Sequence, residues 1–301
     1  MTNGILLLDK PLGMSSNAAV QRVRRAFGRV KAGHTGNLDP LATGLLPVCL
    51  GEATKVAGYL LDGDKEYEFT MGVGSRTATG DLEGEVVERC DVPANLSERI
   101  AAALPDFMGE IQQVPPMYSA LKQGGQPLYR LARQGLEVAR EARTITIHAL
   151  ELLQVRDAEA SLRVRCSKGT YVRVLAEDLA RSLGSCAHLT ALRRTGVAPF
   201  PATAMVQLAA LEADPGSAHL LPADAALPQL PEVRLDESHA QRLRQGQAVP
   251  VEAMPASGHG LVRLYGADRQ FLGVGRAETG RDGAPVVKPV RLFNDLGADP
   301  T

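Results

Sequence analysis

The stretch GHTGNLDPLATGLLPVCL, residues 33–50, places a glycine-rich loop directly before a continuous apolar run. The loop, residues 33–44, contains three glycines, one proline and a single acid, Asp39. This composition is too flexible for a helix interior and too interrupted for a strand, whereas the apolar residues 45–50 predict a buried strand. An aspartate before a proline is typical of a turn, so the stretch alone leaves open whether Asp39 shapes a turn or does chemistry.

Regular elements are predicted on both sides of this loop. Apolar residues alternate in KEYEFTMGVG, residues 65–74, which is the spacing of a strand. Residues 15–28 have helical spacing, a serine at the start and Gly28 as a stop. Residues 81–110 are acidic and rich in turn residues, which predicts a peripheral segment. The other predicted elements are strands at 4–11, 45–50, 144–155 and 161–169, and helices at 52–61 and 170–184.

The C-terminal part of the chain has a different composition. Prolines and alanines concentrate around residues 215–232, which predicts a linker. Beyond it, a helix at 236–245 and short strands punctuated by glycine predict a small, separate β-barrel over residues 233–295.

The charge distribution favours a polyanionic partner without proving one. The chain has 301 residues, 45% of them hydrophobic, and a net charge of −1, which excludes a uniformly basic surface. Seven Lys and Arg against three acids lie in residues 1–60, and seven against two in residues 163–194. Such blocks are also compatible with ordinary solvated faces, so both interpretations stay open.

Cysteine spacing and hydropathy indicate a cytoplasmic protein. The four cysteines are widely spaced, without a CxxC pair, which argues against a zinc site and against a disulfide framework. The N-terminal residues do not resemble a secretion signal, and no run approaches the ~18 apolar residues of a membrane span. We therefore expect no metal, no membrane association and a reducing compartment.

Five blocks of the sequence, in order, resemble the TruB family of tRNA pseudouridine synthases. The glycine-rich loop and the strand after it resemble the family signature. The matching blocks span roughly residues 4–210: GILLLDKPLGMSS, GHTGNLDPLATGLLPVCLGEATK, KEYEFTMGVGSRTATGDLEG, PPMYSALKQGGQPLYRLARQG, and CSKGTYVRVLAEDLA with AHLTALRRTGVAPF.

The resemblance implies an α+β pseudouridine synthase fold, in which helices flank a central mixed, largely antiparallel sheet. It implies a catalytic domain over residues 1–229 with an RNA-binding insertion at about 115–140. Residues 230–301 resemble, more loosely, a PUA-like RNA-binding β-barrel.

The implied activity is isomerisation of uridine 55 in the T loop of tRNA. The enzyme would flip the base out, break the C1′–N1 bond and join C1′ to C5, which requires no cofactor. The implied partner is the tRNA T stem-loop, and the protein is expected to be a monomer. One alternative is a tRNA-binding folding chaperone in which catalysis is secondary. Another is a nucleoside hydrolase, although such enzymes usually have paired carboxylates or a calcium-binding acid cluster.

The resemblance assigns roles to six side chains and to two glycines. Asp39 is the catalytic carboxylate, with Arg173 as a bidentate counter-charge, while Gly36 and Gly44 would let the loop approach a ribose. Tyr67 stacks on the flipped uracil and takes the C5 proton. The residues that contact or displace the base are Tyr171, Leu192 and His34. Each pattern alone also fits a core, capping or surface role.

Basic residues near these blocks are candidates for contacts with tRNA phosphates, which would offset the cost of unstacking the target base. These candidates are Arg22, Arg24, Arg25, Lys122, Arg130, Arg133, Arg193 and Arg194.

Overall fold

A computed structural model describes residues 2–201, 205–254, 258–281 and 283–294. Its strands are β1 (Gly4–Lys10), β2 (Ala32–His34), β3 (Ala42–Leu50), β4 (Lys65–Val73), β5 (Ser75–Thr77), β6 (Val86–Arg89), β7 (Gly109–Gln113), β8 (Lys122–Gln123), β9 (Gln126–Pro127), β10 (Arg143–Arg156), β11 (Glu159–Cys166), β12 (Ala187–Val197), β13 (Phe200–Pro201), β14 (Val206–Gln207), β15 (Leu220–Leu221), β16 (Glu232–Arg234), β17 (Val249–Pro250), β18 (Gly260–Tyr265), β19 (Phe271–Thr279) and β20 (Pro285–Leu292).

The α-helices are α1 (Ser16–Ala26), α2 (Ala57–Leu61), α3 (Leu96–Ala103), α4 (Leu128–Arg133), α5 (Val172–Ser182), α6 (Leu208–Ala213) and α7 (Glu237–Arg244). Short 3-10 turns lie at Gly51–Lys55, Leu104–Phe107, Ser217–His219 and Ala223–Ala226.

An eleven-stranded sheet organises the first two thirds of the chain. Its main path is β14-β1-β3-β12-β4-β11-β10-β7, and β2, β13 and β15 pair at its sides. The β1–β14 and β3–β12 pairs are parallel, whereas the other pairs along this path are antiparallel. The prediction of a mixed, largely antiparallel sheet flanked by helices is therefore confirmed.

Burial on both faces explains the continuous apolar runs at residues 5–8 of β1 and 45–50 of β3. Leu6 and Leu8 of β1 pack with α1 and α6, whereas Ile5 and Leu7 point to the opposite face and pack with aromatic residues of the C-terminal unit. A strand covered on both sides needs apolar residues at every position. Helices α3 and α5 cover the β4–β11–β10 part of the sheet.

The C-terminal unit is a five-stranded sheet in the order β16-β18-β19-β20-β17, packed with α7 around its own core. It also contacts the first unit directly. Lys55 Nζ donates a hydrogen bond to the Leu292 carbonyl at 2.8 Å, and the Glu52 carboxylate accepts one from the Asn294 N–H at 2.7 Å. The domain boundary at 229/230 stays a prediction.

The predicted linker at 215–232 is instead packed against the first unit. Leu220 and Leu221 pair with β1 as the short strand β15. The carboxylate of Asp224 accepts a hydrogen bond from the Tyr265 hydroxyl at 2.6 Å. Alanine and proline here serve close packing, which the same composition does not distinguish from a linker.

Two further expectations were wrong. The segment at 81–110 is not entirely peripheral, because helix α3 buries Leu96 and Ile100 in the core of the sheet. Cys90 and Cys186 form a disulfide, although they are 96 residues apart. Gly74 hydrogen bonds to the backbone of both cysteines and so brings them together, which sequence spacing does not reveal.

Within the described ranges, the helices are too short or too polar to cross a membrane.

Candidate active site

A cleft of about 410 Å³ opens on one side of the main sheet, where β4 and β12 meet the glycine-rich loop. The start of α5 and the segment around Ser119 complete its walls. Five predicted site residues line this cleft together: Asp39, Tyr67, Tyr171, Arg173 and Leu192. Asp39 and Leu192, which are 153 positions apart in sequence, thus meet at one site.

The loop that carries Asp39 is held from the side of α1. The Ser16 hydroxyl donates to the Leu38 carbonyl at 3.0 Å and accepts from the Leu38 N–H at 2.7 Å. The Gly13 N–H donates to the Pro40 carbonyl at 2.8 Å. The residue before Asp39 and the residue after it are therefore both tied to the α1 region.

Gly44 is required for a reason other than the predicted one. Its φ is +97°, and a Cβ atom there would lie 2.3 Å from the Arg194 carbonyl oxygen. Glycine lets β3 approach β12 at this point. The expectation that Gly44 makes room for a ribose is wrong, because the group beside it is a strand backbone.

The predicted contact between Asp39 and Arg173 is present, but it is not bidentate. Arg173 Nη2 lies 3.1 Å from Asp39 Oδ2. The other donations of the guanidinium go to backbone carbonyls, at 2.7 Å to Thr79 and at 2.7 Å to Tyr118. Arg173 therefore connects three chain segments, and its Nη2 both donates to the Tyr118 carbonyl and meets the Asp39 carboxylate. The Asp39 side chain is 34% exposed, whereas that of Arg173 is 7% exposed.

A second carboxylate, Asp81, lies on the other side of Arg173 and was missed by sequence reasoning. Its Oδ2 is 3.9 Å from Arg173 Nε. It is buried and accepts hydrogen bonds from the Thr79 hydroxyl and the Glu83 N–H. Asp81 does not line the cleft, so it orients Arg173 and is not presented to a substrate. The only signal for it in the sequence was the turn TATGDLEG after a strand.

Two buried lysines near the cleft were also missed. Lys10 Nζ donates to the carbonyls of Pro11 and Met14, at 3.0 and 2.6 Å. Burial lowers the pKa of Lys10 to about 8, although the charge of Asp39 opposes this shift. Lys65 lines the cleft, and burial lowers its pKa to about 8 as well.

The two predicted tyrosines sit on rigid elements. Burial raises the pKa of Tyr67 on β4, against the opposing charge and hydrogen bond of Arg194. Tyr171 caps α5, and the side chain of Gln113 holds its backbone N–H and carbonyl at 2.7 and 3.1 Å. Burial also raises the pKa of Tyr171. Both phenols are consequently protonated at neutral pH.

His34 lies outside the cleft walls, on β2 at the entrance to the glycine-rich loop. Burial and then the charge of Arg194 lower its pKa, which favours a neutral imidazole. Its Nδ1 is buried and has no hydrogen-bond partner among the described residues. The predicted role of His34 stays a prediction.

Arg194 lines the cleft, but its guanidinium is buried and bonded within the protein, which disfavours the predicted phosphate contact. It is 1% exposed, and Nε donates to the Leu45 carbonyl at 2.7 Å. Its terminal nitrogens donate to the carbonyls of Asn37 and Gly36, each at 3.3 Å. Arg194 is an internal brace of the glycine-rich loop, a role that an Arg-Arg pair in a strand does not reveal.

The other candidate phosphate contacts fall into two groups. Three are partly buried and already bonded, Arg22 to Glu212, Arg24 to the Val30 carbonyl and Arg193 to Asp9. The four that are exposed are Arg25, Lys122, Arg130 and Arg133. Three of those four belong to the segment at 115–135.

Comparison with protein families gives matches along almost the whole chain. Residues 24–172 match the model described as the N-terminal domain of the TruB family pseudouridylate synthases. Residues 173–228 match the tRNA pseudouridylate synthase B C-terminal domain, and residues 231–293 match the C-terminal domain of pseudouridine synthase II TruB.

Individual proteins show the same relationship. The chain is 51% identical to tRNA pseudouridine synthase B of Burkholderia mallei over 297 residues, which cover 96% of each chain. It is 51% identical to the protein of the same name from Aromatoleum aromaticum, over 98% of this chain and 94% of the relative.

A solved structure of a Cbf5-Nop10-Gar1 complex contains a chain that matches 97% of this one. The match covers 84% of that chain, with a TM-score of 0.72 and 27% identity. The identity and coverage shared with the relatives place this chain in the TruB family of pseudouridylate synthases.

Proposed function

We propose that this protein isomerises uridine 55 in the T loop of tRNA to pseudouridine. The observation that carries the proposal is the cleft in which Asp39 meets the guanidinium of Arg173 beside Tyr67 and Tyr171. Relatives of 51% identity bear the name of a tRNA pseudouridine synthase. The cleft volume of about 410 Å³ lies in the range of small-molecule sites, which suits one extruded nucleotide.

Asp39 is the group proposed to act on the target nucleotide. Its carboxylate is one third exposed and is fixed in place by Arg173, so it is both accessible and oriented. The reaction breaks C1′–N1 and forms C1′–C5, and it moves a proton from C5 to N1. A carboxylate can take part as nucleophile or as base. Nothing is oxidised or added to the product.

The remaining side chains of the cleft hold the nucleotide. Tyr67 offers a ring face for stacking from β4, and Leu192 on β12 supplies an apolar contact. Because burial raises the pKa of Tyr67, its phenol stays protonated until the reaction begins. A proton transfer from C5 to Tyr67 would then need a phenolate formed within the cleft.

The surface around the cleft is proposed to bind the tRNA backbone. Arg25, Lys122, Arg130 and Arg133 are exposed, and the last three belong to the segment at 115–135, which contributes Ser119 to the cleft. Such contacts offset the few kcal/mol needed to unstack the target base. The C-terminal sheet, with its packed helix α7, is proposed as a further RNA-binding unit.

The alternative of a folding chaperone is not favoured, because the relatives are named as synthases and a binding protein has no use for a carboxylate oriented in a cleft by an arginine.

The proposal is tested with tRNA transcripts that carry tritium at C5 of uridine. Wild-type protein should release the label from the T-loop position, and a transcript with cytidine at position 55 should lose that release. Mapping of pseudouridine in the product identifies the position. Equal release from the transcript without uridine 55 would contradict the proposed target.

A further inference from the structure

Ser119 is held firmly through its backbone. Its N–H donates to the Met117 carbonyl at 2.9 Å, and its carbonyl accepts from the Tyr129 N–H at 3.1 Å. The preceding carbonyl, that of Tyr118, accepts from Arg173 Nη2, the nitrogen that also meets Asp39. Ser119 is thus fixed one residue away from the proposed catalytic ion pair.

The hydroxyl of Ser119, by contrast, is left without a bond. The residue is 5% exposed and lines the cleft, yet its Oγ has no hydrogen-bond partner among the described residues. Burial raises the pKa of Tyr171, and the nearby Ser119 hydroxyl opposes that shift, but the two hydroxyls do not meet hydrogen-bond geometry. A buried hydroxyl without a partner costs about 1–3 kcal/mol, so its retention needs a reason.

Neighbouring polar side chains of the cleft differ from Ser119 in this respect. The Ser167 hydroxyl accepts from the Thr146 N–H at 2.9 Å, and the Thr170 hydroxyl donates to the Ser167 carbonyl at 3.0 Å. Lys65 Nζ donates to the Leu61 carbonyl at 2.6 Å. These groups are satisfied by the protein itself, whereas the buried Ser119 hydroxyl, beside the cleft, has unused hydrogen-bonding capacity.

We infer that the Ser119 hydroxyl hydrogen bonds to the extruded target nucleotide and positions it between Asp39 and Tyr171. The inference rests on the proposed function of the cleft and adds a residue to it. The bond forms only when the nucleotide is bound. Ser119 is therefore a positioning residue for the substrate, supplied by the same segment that carries Lys122, Arg130 and Arg133.

The test compares Ser119→Ala with wild type on a T-arm stem-loop under single-turnover conditions. We expect kcat/KM to fall about 3- to 10-fold, the value of one neutral hydrogen bond. The Tm of the free variant should be unchanged or higher, because the mutation removes an unpaired buried hydroxyl. A hydroxyl with a structural role would lower Tm instead.

Substrate analogues identify the bonded atom. Stem-loops with 2-thiouridine, 4-thiouridine or 2′-deoxyuridine at the target position each weaken one acceptor or donor. With wild type, the analogue that lacks the bonded atom should lower kcat/KM. The same analogue should have little further effect on kcat/KM of Ser119→Ala, because that variant has already lost the hydrogen bond. Ser167→Ala is the control: it should lower Tm and remain additive with all three analogues.

The inference is overturned if kcat/KM of Ser119→Ala stays within twofold of wild type, or if its losses are additive with every analogue. Failure of the proposed active site has a different signature, namely full turnover by Asp39→Asn. The two results are therefore distinguishable on the same substrates.

Discussion

The glycine-rich loop and the segment at 115–135 both line the cleft, but they are built in opposite ways. The loop is tied down by buried polar side chains, with Ser16 bonded to Leu38 and Arg194 bonded to three carbonyls. The segment is largely exposed, and its strands β8 and β9 form only a short hairpin. The contrast separates two tasks, since chemistry needs a fixed carboxylate and RNA binding needs exposed charge.

Arg173 is the point at which these two regions meet. It contacts Asp39 in the loop and the Tyr118 carbonyl in the segment. We expect the loop to respond to mutation mainly through stability and turnover, and the segment mainly through affinity for tRNA.

The largest effect is expected from Arg194→Met, which removes the brace of the loop. One buried and two partly buried carbonyls would lose their donor, which should cost about 3 kcal/mol and lower Tm by roughly 5–10 °C. Thermal unfolding measures the change. Arg193→Ala, in the same strand but partly exposed and paired with Asp9, is the matched control and should cost under about 1 kcal/mol. Equal losses from the two variants would refute the distinction between brace and surface residue.

A smaller effect is expected from Lys10→Met as the pH changes. The pKa of Lys10 is about 8 in the folded protein and 10.5 for an ordinary lysine, so the unfolded chain binds more protons between these values. The free energy of unfolding should therefore rise with pH above 8, by at most about 1.4 kcal/mol per pH unit for each such lysine. Above pH 10, the raised pKa values of Tyr67 and Tyr171 work in the opposite direction.

Urea unfolding at pH 7.5, 8.5 and 9.5 should show a shallower rise for Lys10→Met than for wild type. The exposed Lys168, which pairs with Asp62, provides the control variant Lys168→Met. If the free energy of unfolding rises with pH as steeply in Lys10→Met as in Lys168→Met, then burial does not lower the pKa of Lys10 in the folded protein.

The smallest change in stability is expected in the segment at 115–135. Lys122→Ala, Arg130→Ala and Arg133→Ala should each weaken tRNA binding and reduce the slope of log Kd against log salt by about one, with Tm unchanged. Arg165→Ala, exposed on β11, is the control. If the slope of log Kd against log salt in all three variants matches that of wild type, these residues do not contact tRNA phosphates.

The sequence predicted most of the sheet and the members of the cleft, because apolar periodicity and the family resemblance both bear on them. Asp39 and Arg173 were expected to meet, and they do. The bidentate geometry was wrong, since Arg173 Nη1 donates to the Thr79 carbonyl, while Nη2, which meets Asp39, also donates to the Tyr118 carbonyl. Every residue has a backbone carbonyl, so the pattern of side chains in the sequence does not predict which carbonyls will accept a hydrogen bond from Arg173.

Arg194, Gly44 and the Cys90–Cys186 disulfide show the same limit. Each depends on which segments lie side by side in the fold: Arg194 and Gly44 on the pairing of β3 with β12, and the disulfide on the backbone of Gly74. The sequence suggested a phosphate contact for Arg194, a flexible loop for Gly44 and reduced thiols for the cysteines, but it could not identify their neighbours. Asp81 was missed for the same reason, as its partner Arg173 lies 92 positions away in sequence.

The central claim is that Asp39 acts on the target uridine while other residues bind the tRNA. The most direct test measures tritium release and tRNA affinity for Asp39→Asn beside wild type, with Asp106→Asn as an exposed control outside the cleft. We expect Asp39→Asn to lose turnover and to keep its Kd for tRNA within a few fold, with Asp106→Asn normal in both. Release of the label by Asp39→Asn at the wild-type rate would contradict the account.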